Sequence, residues 1–145
     1  MTVPSKPLLF GRSRHVSRRF LTLAGIVCFG IAVVLCLFAV AGFAFDWYAE
    51  SVRAALLYGI GAVALAGAIG NAYCNDGLVV SVSITLAIAL GYGLAAAILV
   101  SANAFVTDSP PTLLFVYFAA GATVVGVGAF AFGVGIREVA KSVRT

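Results

Sequence analysis

The stretch "FLTLAGIVCFGIAVVLCLFAVAGFAF", residues 20–45, decides the fold. It contains no Asp, Glu, Lys or Arg. A helix rising ~1.5 Å per residue needs ~20 residues to cross a hydrocarbon core of ~30 Å. This run exceeds that length. It is continuous and rich in Ala, Gly, Leu and Val, without the alternation of a membrane β-strand, so the backbone must satisfy its own polar groups as a helix.

Working outward, the same pattern recurs. Ala54–Asn75, Gly77–Thr107 and Ser109–Ile136 also lack formal charge. The chain is 63% hydrophobic and 10% charged, with a mean hydropathy of +1.14. A soluble domain carries about a quarter of its residues as charges. The expected fold class is therefore an all-α integral membrane protein, a four-transmembrane-helix bundle with spans at about 20–45, 54–74, 78–105 and 111–136. The transmembrane domain covers 20–139, flanked by basic tails at 1–19 and 137–145. Trp47, Tyr48 and Tyr73 suit an interfacial aromatic belt, and Pro110-Pro111 suits the opening of the fourth helix.

Charge sets the orientation. "GRSRHVSRRF", residues 11–20, crowds Arg12, Arg14, Arg18 and Arg19 before the first run, with Lys6 upstream. Arg137, Lys141 and Arg144 follow the last run. Cytoplasmic flanks collect Lys and Arg, so both termini are expected in the cytoplasm. The outer loops then carry Asp46, Glu50, Arg53 and Asp108, and the inner loop carries Asp76 alone.

The string "SRRFL" (17–21) resembles the twin-arginine export pattern S-R-R-x-F-L, but Thr22 occupies a position where that pattern is hydrophobic. Export signals have apolar cores of about 7–15 residues, shorter than this run, so a retained span is expected. Arg12, Arg14, Arg18 and Arg19 are assigned to anionic lipid headgroups, each contributing ~1 kcal/mol near a charged leaflet. The same charges attract nucleic acid, but no fold presents them, and it is not an expected partner.

Small residues mark where helices meet. Gly25, Cys28, Ala32, Cys36 and Ala39 form one stripe; Ala55, Gly59, Ala62, Ala66 and Gly70 form another. The fourth span has two: Gly121, Gly128 and Gly135 at heptad spacing, and Ala122, Gly126, Ala129 and Gly133 beside it. Gly25, Ala32, Gly59, Ala66, Gly121, Gly128 and Gly135 are the expected packing positions, within the chain or across a homo-oligomer. In the third span Ser81, Thr85, Tyr92 and Asn103 project within about 40° of one another at ~100° per residue. They form a candidate polar path, unless their hydroxyls bond back to the helix.

Several chemistries lose their anchors. Proton relays and ion-coupled transporters use ionisable groups inside the membrane, and the four runs hold no acid or base. Small four-span multidrug exporters carry an acid in the first span, which is missing here. His15 is the one histidine, and Cys28, Cys36 and Cys74 include no CxxC pair. The three thiols are expected as small buried apolar groups. "RRFLTLAG" (18–25) resembles the opening of small flippase-like proteins of glycan modification, whose later basic-aromatic loop motif is absent.

No catalytic residue, metal or cofactor is expected. The expected role is a small multi-pass structural or accessory membrane protein, in a membrane complex or a membrane envelope such as that of a prokaryotic virus. Its partners would be membrane lipids, further copies or other membrane subunits. The alternative is a small permeation protein (holin, channel or lipid-translocation accessory) using the third-span stripe. Seven arginines to two lysines in an Ala/Gly/Val-rich chain point to a prokaryotic cell membrane or an envelope derived from it.

Overall fold

A computed structural model describes residues 11–45, 49–103 and 110–143. It contains four helices and, among the described residues, no strand: α1 Arg14–Phe45, α2 Glu50–Asn75, α3 Leu78–Ser101 and α4 Pro111–Ser142. Each is long and apolar enough to cross a membrane. At ~1.5 Å per residue the 32 residues of α1 and of α4 extend about 48 Å, against about 36 Å for the 24 residues of α3.

The helix ends follow local chemistry. Pro110 is extended and Pro111 opens α4, where a missing N–H costs nothing. α2 stops at Asp76, whose φ of 57° is left-handed and whose N–H reaches the Ala72 carbonyl. With Gly77 extended behind it, two residues turn the chain into α3. Asn103, at φ 52°, lies beyond the end of α3, so this helix stops at Ser101 and not near 105. The other boundaries differ in the opposite sense. α1 starts at Arg14, α2 at Glu50, and α4 runs past Ile136 to Ser142. Arg, Glu and Lys are good helix formers, so a change from apolar to charged sequence does not end a helix. Residues 14–19 thus form the first turns of α1.

α1 packs on α2 and α3, α4 packs on α2 and α3, and α2 touches α3, which leaves α1 and α4 at opposite corners. Parallel neighbours α1/α3 and α2/α4 are closely fitted. A Cβ added to Gly91 would lie 2.6 Å from the Cys28 carbonyl, and one added to Gly133 would lie 2.6 Å from that of Ile69. Gly126 and Ala129 continue the α4 seam and are buried. The core is built from small and branched residues, among them Val27, Ile31, Ala64, Ala68 and Ile84. Phe29, Phe43, Tyr58, Tyr117 and Phe132 lie outside instead. Large apolar side chains outside and alanines inside invert the usual order of a soluble core.

Of the expected packing positions, only Ala32 is buried. Gly25, Gly59, Gly121, Gly128 and Gly135 are exposed with no atom within 4 Å of an added Cβ, and Ala66 is exposed too. The heptad glycines therefore form no seam within the chain. The neighbouring stripe of Ala122, Gly126, Ala129 and Gly133 does, because at ~100° per residue it is centred about 130° round the helix from the heptad glycines.

Candidate functional site: a polar clasp at the basic end

One end of the bundle gathers the start of α1, the α2–α3 turn and the end of α4. Asn71 and Asn75 are one helical turn apart on α2 and both are buried. Asn71 Nδ2 donates to the Gly77 carbonyl (2.8 Å) and to Ser81 Oγ (2.9 Å), and Ser81 Oγ donates to the Ala68 carbonyl (2.9 Å). This ties the turn to both helices. Asn71 Oδ1 is buried without a hydrogen-bond partner among the described residues.

Asn75 receives the N-terminal segment. Its Oδ1 accepts the Ser13 N–H (2.7 Å), its carbonyl accepts the Arg12 N–H (2.9 Å), and its Nδ2 donates to Ser17 Oγ (2.8 Å). Residues 11–13 thereby lie across the turn. Gly11 has φ +89°, and a Cβ there would overlap the Asn75 carboxamide, so both conformation and space require glycine.

Asp76 completes the clasp. Its carboxylate is 4% exposed and sits between two guanidiniums: Arg12 Nε is 2.7 Å from Oδ2, and Arg137 Nη1 donates to Oδ1. A buried carboxylate is costly unless paired and hydrogen-bonded, and here it has a cation on each side. Arg137 also contacts Glu138, which accepts from Lys141 Nζ at 2.7 Å. Asp76 thus joins the two ends of the chain. Its pairing also accounts for an acid in the α2–α3 turn that has no base beside it in sequence.

The lipid-binding assignment divides here. Arg12 is engaged with Asp76, whereas Arg14, Arg18 and Arg19 are exposed and outside the ion pairs formed among the described residues. The candidate polar path does not assemble. Ser81 and Thr85 are buried, and Thr85 Oγ1 donates to its own helix at the Val82 carbonyl (2.9 Å). Tyr92 stacks on Phe118 with centroids 5.0 Å apart and planes inclined by 14°. Asn103 is exposed beyond the helix. Ser81 and Thr85 are thus engaged by internal bonds and Tyr92 by ring stacking. The cysteines are free thiols; Cys28 and Cys36 are half-buried, but Cys74 is exposed, against the expectation of burial. Lys6, Asp46, Trp47, Tyr48, Asp108 and Arg144 lie outside the described residues. Among the described residues no group of His, Cys, Asp and Glu could hold a metal ion.

Sequence reading missed Ser13, Ser17, Asn71, Asn75 and Arg137 as one constellation. The available signal was Asn71 and Asn75 at i,i+4 followed by Asp76-Gly77, placed by four-span topology on the same side as both basic termini. Comparison with known protein families, curated proteins and solved structures finds no match to this chain.

Proposed function

We propose that this chain is a multi-pass integral membrane protein of structural or accessory type, without catalysis, whose basic end faces the cytoplasm. It acts through its outer surface: lipid contact, anionic headgroup attraction at Arg14, Arg18 and Arg19, and assembly with copies of itself or other membrane subunits, in a membrane complex or envelope. One observation carries the reading. The interior is filled by small and branched apolar side chains, and the buried Ser81, Asn75 and Asp76 side chains are held by partners within the bundle, so the surface left to meet partners is external. That surface is apolar around the belt and basic at one rim.

The test is reconstitution. Purified protein in anionic vesicles should assemble into a defined oligomer or retain a membrane partner in native mass spectrometry, and should leave dye and ion leakage at the protein-free level. Replacing Arg14, Arg18 and Arg19 with Gln should weaken association with anionic vesicles, and the difference should shrink as salt rises. Leakage that disappears on Ser81→Ala or Tyr92→Phe would reject this role in favour of permeation.

A further inference from the structure

The two arginines on Asp76 are not equivalent, and that inequality suits a strap that opens. Arg137 is only 16% exposed, whereas Arg12 is 62% exposed and approaches Asp76 through Nε. If Arg12 leaves, Asp76 keeps Arg137, so the carboxylate is never stranded. Apart from that pair, residues 11–13 are held across the turn by two backbone amides on Asn75, and the Ser13 carbonyl accepts from Ser17 of α1. Exposed ion pairs are weak and salt-screened, and an anionic leaflet attracts an arginine with comparable strength.

We propose that Gly11–Ser13 is a strap, closed over the α2–α3 turn by Asp76 and Asn75, which anionic headgroups open by drawing Arg12 away from Asp76. The closed strap hides Asn75 and Asp76 and withholds Arg12 from the lipid surface. The open strap adds Arg12 to the cations of α1 and uncovers the turn. This rests on the headgroup contact proposed above for Arg14, Arg18 and Arg19, which the vesicle experiment tests separately.

The amides of Arg12 and Ser13 report the strap directly. They precede α1 and owe their protection to Asn75, so their hydrogen exchange measures opening. In full-length protein in phosphatidylcholine nanodiscs both amides should be protected. Doping the discs with phosphatidylglycerol should speed their exchange about tenfold, while amides in the middle of α1 stay unchanged. Asp76→Asn should exchange rapidly in both lipids. Arg12→Gln, which alters a largely exposed side chain and leaves the core untouched, should do the same, and Arg14→Gln should behave as wild type in phosphatidylcholine. Wild-type protection in Arg12→Gln would overturn the strap, and exchange insensitive to phosphatidylglycerol would overturn its opening by lipid. Since vesicle association is read with the Arg14, Arg18 and Arg19 variants, loss of lipid binding altogether is distinguished from a strap that stays shut.

Discussion

At the scale of single residues, Asp76 has the largest consequences. Removing one member of a buried ion pair leaves the other charge unpaired, which costs about 3–5 kcal/mol when both are deeply buried. Arg137 is nearly buried but Arg12 can return to water. Asp76→Asn should therefore lower stability by about 2–4 kcal/mol, whereas Arg12→Gln should cost no more than about 1 kcal/mol. Unfolding of the purified protein in mild detergent by added denaturing detergent measures both, and similar small losses would mean that Asp76 is solvated. Asp76 stands out in the sequence as an acid on the basic side. Its partners did not, because pairing depends on how residues from opposite ends of the chain are brought to one turn. Ser81 is a similar case. Its period on α3 is readable, but whether its hydroxyl faces water or Asn71 is decided by the neighbouring helix.

At the scale of the helix, small residues occupy both faces of α4, and they respond differently to a side chain. Gly133 meets the α2 backbone and Gly135 meets nothing. Gly133→Ala forces α2 and α4 apart and should cost about 1–3 kcal/mol, the usual range for overpacking. Gly135→Ala should be neutral or stabilising by a few tenths to about 1 kcal/mol, through the greater helix propensity of alanine. Gly128→Leu should be tolerated as well as Val127→Leu within one chain, since both positions face outward. Thermal melting in detergent orders the variants. Equal losses from Gly133→Ala and Gly135→Ala would contradict the assigned seam. The four helices were legible because their signal is length without charge. Which stripe forms the seam was not, since both are made of small residues and only the neighbouring helices distinguish them.

Across the whole molecule the two ends differ in charge. The clasp end carries Arg12, Arg14, Arg18, Arg19, Arg137 and Lys141 against Asp76 and Glu138 among the described residues, whereas Glu50 and Arg53 near the opposite end pair with each other. Insertion retains Lys and Arg on the cytoplasmic side, so the orientation proposed above, with the clasp end cytoplasmic, is the one this asymmetry would select. The selection depends on charge rather than on guanidinium geometry. Replacing Arg14, Arg18 and Arg19 together with Lys should thus preserve it, and Gln should weaken it. Orientation can be read in a background carrying Cys28→Ala, Cys36→Ala and Cys74→Ala, with one new thiol at Ser51→Cys or Ser142→Cys. Both positions are exposed, and they lie near opposite ends of the bundle. An impermeant maleimide should label Ser51→Cys on intact cells and Ser142→Cys only after permeabilisation. In the Gln variant a fraction of Ser142→Cys should become reactive from outside. Labelling of Ser142→Cys on intact cells with all arginines present would reverse the orientation, and would place the clasp and its arginines away from the cytoplasmic leaflet.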